Sequence, residues 1–466
     1  MMRPALSLAL ALALALNVQS AAAQSAPSPA AQLAAEIKAH AAVMPLLEEL
    51  CDDIGPRLTG SAGLHRAQDW AMRKLAGYGA TNVHLEAYDL GRPWHRGRAS
   101  ARLLNASGMP LDVVQKAWTE GTRGPVRGEV AVLDAKTLDQ MQAALPSLRG
   151  KIVLVLAAPR PGPEEQNDLP RFRAALDRAW LDAQPAALLL VAAKAAGLRD
   201  MWGGPTARVH RNEAIITREH AAVLQRLIAR GQVPKVELAM DGGFGPAPVQ
   251  AHNVVADLPG TDPTAGMVIL GAHLDSWDLG PGATDNGSGV VAVLEAMRAL
   301  HAVGLKPQRT VRVVLFSGEE QGLLGSKAYA AAHRAELDDV QAVLVQDAGA
   351  GRIMGFPDMK VEAWFVALTS ALAPAQSLGP LDVTYAVSKG SDHETFFKLG
   401  IPAFAPMQDP RDYPTHTQHT QADTIDHVSA ADLVQAAQVM AVLAWQLAHG
   451  PRLPHVAHVP SGTTGT

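Results

Sequence analysis

From residue 252 onward, apolar and polar positions alternate between two periods. Short apolar runs predict strands at 253–258, 267–272, 310–316, 340–345 and 401–405. Between them, apolar residues recur at helical spacing and predict helices at 288–300, 323–333, 361–372 and 430–448. Strands that alternate with helices imply parallel pairing, because each parallel pair needs a crossover. The expected fold class is therefore α/β, with a mostly parallel, mixed sheet and helices on both faces.

Upstream of this region the pattern is less regular. The Pro/Ala/Ser-rich segment 26–31 reads as disordered, and a helix is expected at 31–50. Thr59-Gly60-Ser61 leads into a second helix whose Leu64, Ala67, Trp70, Ala71 and Leu75 share one face, and Gly77 and Gly79 end it. Positions 83–90 alternate as a strand does. From about residue 124 the character changes. Apolar strands at 130–133, 152–156 and 187–191 are separated by Pro/Gly-rich loops, with a helix near 219–229. This block carries no cluster of metal-type residues. It reads as an inserted α/β or β-rich module spanning 124–240, with 242–248 as its exit linker. Residues 24–123 and 241–450 would then form one domain in two pieces, and 451–466 a mobile tail. A chain of 466 residues is too long for one ordinary core, which agrees with that division.

Composition narrows the setting. Arg3, an apolar run over 5–16 and Ala21-Ala22-Ala23 before Gln24 read as an export signal at 1–23, directing the chain to a periplasm or the medium. The run is too short to span a bilayer comfortably, so no stable membrane insertion is expected. A net charge of −5 with dispersed basic residues argues against nucleic acid as a partner. Cys51 is the only cysteine, so no internal disulfide can form, and its neighbours Leu46, Leu47, Leu50 and Ile54 predict burial.

The candidate chemistry sits just past the apolar runs. Gly271-Ala272-His273-Leu274-Asp275-Ser276-Trp277-Asp278 follows one run, with Ala283-Thr284-Asp285-Asn286-Gly287 soon after. Gly318-Glu319-Glu320-Gln321 follows the next run, and Gln346-Asp347 the one after. His416 and His419 stand shortly before Asp423-Thr424. Strand ends on one edge of a parallel sheet are where a site would assemble. His273, Asp285, Glu320, Asp347 and His419 are two imidazoles and three carboxylates, a donor set that suits Zn²⁺, with Mn²⁺ or Co²⁺ as alternatives. His416 competes for the last place. Five donors exceed what one zinc with an open position needs. They suit two ions about 3.5–4 Å apart sharing one carboxylate. Asp285 is the natural bridge, because Gly282, Gly287 and Gly289 let the backbone bend around it. The Asp275 carboxylate can accept the other N–H of the His273 ring. Glu319 and Glu320 point in different directions, so one can bind metal while the other acts as a base.

Taken singly, each of these residues is an ordinary polar loop or cap. What that reading leaves unexplained is several separate strands delivering metal-type groups to one edge. Ser391-Asp392-His393 either line a substrate pocket or cap the helix that follows. Tyr413 and His416 are candidates for contacting substrate or a developing oxyanion. Trp94, Trp118 and Trp202 are expected in packing, with Trp277 nearest the pocket.

His273-Leu274-Asp275, Asp285, Glu319-Glu320, Asp347 and His419 resemble the signature of the M28 family of di-zinc exopeptidases. The longer phrases around His273 and Glu320, together with Arg57-Leu58-Thr59-Gly60-Ser61 and Trp118, resemble its carboxypeptidase Q branch. The resemblance implies that His273 and Asp347 hold one zinc, Glu320 and His419 the other, that Asp285 bridges them, and that Glu319 is the general base. It selects His419 over His416, since the family's histidine lies four residues before the Asp-Thr pair, here Asp423-Thr424. It also likens 124–240 to a protease-associated insert. The implied function is an exported zinc exopeptidase of carboxypeptidase or dipeptidase type acting on dipeptides or short peptides, with a homodimer left open. Alternatives are an aminopeptidase of the same family, a glutaminyl cyclase-like enzyme with one zinc, or an inactive binding homologue. The complete ligand set argues against the last two.

Overall fold

The computed structural model describes residues 27–105, 107–205 and 212–457. The expected export signal lies outside the described residues. The main sheet has six strands: β1 (Thr81–Gly91), β2 (Val249–Leu258), β3 (Met267–His273), β4 (Thr310–Phe316), β5 (Val340–Val345) and β6 (Ala403–Phe404). Their spatial order is β1-β2-β4-β3-β5-β6. Strands β4, β3, β5 and β6 run parallel, while β2 pairs antiparallel with both β1 and β4. Every residue of β5 is buried, as expected of a strand covered on both faces. The alternation along β1 shows the two faces separately. Val83 and Leu85 pack against the main core, whereas Glu86, on the opposite pleat, pairs with His333 just past the helix Leu324–Ala332. The sheet is therefore mixed, mostly parallel and covered on both sides.

Connectivity sets the position of the site. The chain leaves β3 through the helix Ser288–Ala302 and returns as β4 on one side of it. It then passes through the helix Leu324–Ala332 and returns as β5 on the other side. This reversal opens a crevice beyond the carboxyl ends of β3, β4 and β5.

A second sheet of eight strands lies apart from the first. Its centre is four parallel strands, Val126–Asp134, Ile152–Ala157, Ala187–Val191 and Glu213–Ile216. The expected boundary at 124 is corrected, because strands Ala99–Leu103, Pro110–Leu111 and Val113–Gln115 already belong to this sheet. They are short and poor in aromatic residues, so they carry little strand signal of their own. The stretch expected as an exit linker is partly structured: Gly243–Phe244 pairs with Trp94–His95, so the outgoing chain is tied to the incoming one.

Three further expectations are corrected. The helix expected at 31–50 breaks at Ala41 and Ala42, and a new helix, Val43–Glu48, begins. Pro45 explains the break, since it cannot donate within a continuous helix but fits a first turn. The segment expected as disordered is already helical from Pro29, with the Ser28 hydroxyl accepting from the Ala31 N–H at 3.3 Å. The start of the expected mobile tail is docked. Leu453 is buried, the Trp364 indole donates to the Pro454 carbonyl at 2.8 Å, and the Val456 N–H donates to the Gly400 carbonyl at 2.8 Å.

Cys51 is buried in the main core, and desolvation pushes its thiol pKa up to about 11. The thiolate is the reactive form, so little of it exists at neutral pH. An aromatic disulfide reagent is expected to leave the native protein unlabelled and to modify one thiol per chain after denaturation. Rapid labelling of the native protein would contradict this packing.

Candidate metal centre

Each candidate ligand is delivered by an element whose end the fold fixes. His273 is the last residue of β3, Glu319 and Glu320 follow β4 after Ser317 and Gly318, and Asp347 follows β5 after Gln346. Asp285 lies in the loop entering the helix Ser288–Ala302, and His419 comes from the loop ahead of the helix Ala430–His449. The structure brings all five together in two sets. In one, His273 Nε2 lies 3.2 Å from Asp285 Oδ1 and 3.4 Å from Asp347 Oδ1. In the other, His419 Nε2 lies 3.4 Å from Asp285 Oδ2 and 3.1 Å from Glu320 Oε2. Within each set the donor atoms lie within 4.8 Å of one another. The two oxygens of Asp285 are thus divided between the sets.

The loop that carries Asp285 is held from three sides. Asp423 Oδ1 accepts from the Thr284 N–H at 2.6 Å and from the Thr284 hydroxyl at 2.8 Å, while its Oδ2 accepts from the Asp285 N–H at 3.1 Å. The Asn286 amide donates to the Gln346 carbonyl at 2.8 Å, tying the loop to the segment that presents Asp347. The fully buried Arg57 donates to the carbonyls of Leu274, Pro281 and Gly282 at 2.8, 2.6 and 2.9 Å. Two glycines make the bend feasible. Gly282 has φ +68°, and a Cβ on Gly289 would sit 2.2 Å from Asn286 Oδ1 and 2.3 Å from the Gln346 carbonyl.

Asp275 acts differently from the expectation. His273 Nδ1 lies 2.9 Å from the backbone carbonyl of Asp275, and its distance to the Asp275 carboxylate is 3.7 Å. The carboxylate instead accepts from the Thr59 hydroxyl at 2.9 Å and from the Glu319 N–H at 3.4 Å. The side chain of Asp275 thus positions the base candidate, while its backbone carbonyl orients the His273 ring.

Charge in the cluster is one-sided. Burial pushes the Glu320 pKa up to about 7, with the Asp285 carboxylate adding to the rise. Glu319 is raised well above the usual carboxylate range by burial and by neighbouring Asp347 and Glu320. Burial also raises Asp423 to about 7, with Asp285 again contributing. Burial opposes charge on His419 and His273. The carboxylates of Glu320 and Asp285 nevertheless lift His419 to about 9, and Asp347, Asp275 and Asp285 lift His273. Asp285 Oδ2 and Glu320 Oε1 are buried and accept no hydrogen bond. Orphaned oxygens in a crowd of carboxylates are what a divalent cation would relieve. With imidazole and carboxylate donors in both sets, the residues present fit zinc.

The cleft over this centre has a volume of about 390 Å³ and includes Glu319, Tyr413, Lys389, Gly390, Met407 and Gln408 in its lining. Burial raises the Tyr413 hydroxyl pKa, and the nearby carboxylates of Asp285, Asp347 and Glu320 add to the rise. His416 is corrected as a site residue: it is exposed, and its Nδ1 lies 3.0 Å from the Thr415 hydroxyl. Ser391, Asp392 and His393 are corrected as lining residues. They are buried, and from this segment it is Lys389 and Gly390 that line the cleft. The alternative reading as a cap also fails, since neither Ser391 nor Asp392 caps the helix His393–Phe397 by its side chain. Asp392 stays within electrostatic reach of His273, Asp275 and Asp347, and burial lifts its pKa to about 7. Trp277 lies edge-on to His419, with ring centroids 6.1 Å apart, and Trp118 packs against it in turn.

Some contributors leave no functional signal in the sequence. Arg57 and Thr59 belong to the phrase Arg57-Leu58-Thr59-Gly60-Ser61, which carries no hint of their roles. Asp423 served only as a landmark. Met407 and Gln408 belong to a small three-stranded sheet with Ile353–Pro357 and Asp382–Thr384, whose strands are too short to show a period.

Comparison with known proteins agrees with this geometry. Residues 253–444 match the model of peptidase family M28. The chain is 30% identical over 411 residues to carboxypeptidase Q of Bos taurus, covering 86% of this chain and 84% of that protein. The crystal structure of a peptidase M28 precursor from Shewanella amazonensis is similar with TM-score 0.78 and 28% identity, covering 92% of this chain and 98% of that one. The fold is also that of a zinc aminopeptidase from Bacillus subtilis, with TM-score 0.68 at 19% identity, covering 90% of this chain and 98% of that one. A family match over the whole ligand-bearing region, joined to a relative this similar along most of both chains, shows that the protein belongs to peptidase family M28 and is a metallopeptidase.

Proposed function

We propose that this chain is an exported exopeptidase that uses two zinc ions to hydrolyse dipeptides and short peptides, releasing the carboxyl-terminal residue. The observation that carries the reading is the division of the Asp285 oxygens between the His273–Asp347 pair and the Glu320–His419 pair. Zinc bound there would polarise the scissile carbonyl and lower the pKa of a coordinated water to about 7. The remaining steps belong to the chain's own groups. Glu319 stands outside both donor sets and opens onto the cleft, where it takes a proton from the attacking water and passes it to the leaving amine. The Tyr413 hydroxyl, kept protonated by burial, is placed to donate to the oxyanion that develops. A cleft of about 390 Å³ suits a ligand of dipeptide size.

Cleavage at the carboxyl end is supported by the carboxypeptidase Q relative, and export by the apolar run and Ala21-Ala22-Ala23 at the amino end. A panel of dipeptides and tripeptides with one end blocked, assayed with zinc present, tests the terminus. Amino-blocked peptides are expected to be cleaved and carboxyl-amidated ones to fall to background. The reverse ranking would make the enzyme an aminopeptidase.

A further inference from the structure

The two ligand sets differ in what holds them. His273 and Asp347 stand at the ends of neighbouring strands of the main sheet. His419 stands on a loop with φ +63°, and much of what holds that loop comes from the second sheet's unit. The segment 193–204, which follows the strand Ala187–Val191, runs beside it. The Met201 N–H donates to the His419 carbonyl at 2.9 Å, and Asp200 pairs with Thr420 in an isolated bridge. The Lys194 ammonium donates to the Gln418 carbonyl at 2.5 Å. The Gln421 side chain closes the clamp from the other side, accepting from the Arg199 N–H at 3.0 Å and donating to the Gly197 carbonyl at 3.0 Å. The segment is itself braced, since the Asp200 carboxylate accepts from the Ala193 N–H at 2.8 Å. It also reaches the other ligand of this set. Gly204 lies so close to Gln321, the residue after Glu320, that a Cβ there would be 3.2 Å from its carbonyl oxygen.

We propose that the second unit is a structural part of the Glu320–His419 metal position, and that the clamp 193–204 sets the affinity of that position separately from the His273–Asp347 one. The proposal rests on the two-ion reading above. It makes Gln421, Lys194 and Met201 positioning residues for His419. Backbone contacts that fix a ligand's orientation act on affinity as outer partners do, typically by about 10–100-fold.

Gln421→Met is the discriminating variant. It keeps the side chain's length and neutrality and removes both hydrogen bonds to the second unit. Lys194 is less suitable, because its charge lies within electrostatic reach of Asp285 and its removal would change metal affinity directly. Zinc binding to metal-stripped wild type and variant would be followed by calorimetric titration. Wild type is expected to take up two ions. In Gln421→Met, one ion should bind as in wild type and the other about tenfold more weakly. Two unchanged affinities, or an equal fall in both, would overturn the clamp while leaving the two-ion reading intact. A single ion in wild type would overturn that reading and the clamp with it.

Discussion

Glu319→Gln is expected to lower kcat by about 10²–10⁴-fold, the span typical of a lost general base, with KM little changed and both metals still bound. The reasoning is geometric. Gly318, at φ +70°, turns the chain just beyond β4, so that Glu320 joins the His419 set while Glu319 opens onto the cleft. The Asp275 carboxylate holds the Glu319 backbone at 3.4 Å, and Thr59 holds Asp275. Glutamine keeps the shape and loses the ability to accept a proton. Because Glu319 contributes no donor atom to either set, zinc content measured by atomic absorption should match wild type. Turnover close to wild type in the variant would remove Glu319 from the mechanism. A loss of zinc along with activity would mean that it is a ligand instead.

Asp285→Ala should have the largest effect on metal. Asp347→Ala removes a donor from one set only. Asp285→Ala removes one from each, because Oδ1 faces His273 and Oδ2 faces His419. Both affinities are expected to fall by more than about 100-fold, beyond the range of outer partners, and peptidase activity should fall to background. Equilibrium dialysis against zinc, followed by an activity assay, measures both. The methyl group leaves a loop still anchored by the bonds from Thr284 to Asp423 and from Asn286 to Gln346, so circular dichroism of the metal-free protein should be unchanged. Retention of one full-affinity ion in Asp285→Ala would mean that the carboxylate serves one position and bridges nothing.

The parts of the molecule legible in the sequence share a physical cause. Strands β3, β4 and β5 are fully buried for most of their length, so they must be runs of Val, Leu, Ile and Phe. Metal-type residues directly after such runs stand out against the apolar background, which is why His273, Glu320 and Asp347 were found together. His419 and His416 were a different case, since both lie in a loop with no period. Only the resemblance separated them, and the structure does so by turning His416 to solvent. Arg57 escaped because its work is done through carbonyl oxygens, which leave no mark on residue identity at the positions it holds. Asp423 escaped for a similar reason, since a carboxylate that accepts backbone N–H groups looks in sequence like any loop aspartate. The second unit begins before the change in composition near residue 124, because Ala99–Leu103 is stabilised by pairing with Lys235–Met240, far along the chain. Local composition cannot report such a partner.

The most direct test of the account is the anomalous scattering of zinc-loaded crystals at the zinc absorption edge. Two peaks are predicted about 3.5–4 Å apart, one within bonding distance of His273 and Asp347, the other of Glu320 and His419, with the Asp285 carboxylate between them. A single peak, or two peaks of which either fails to touch Asp285, would contradict it.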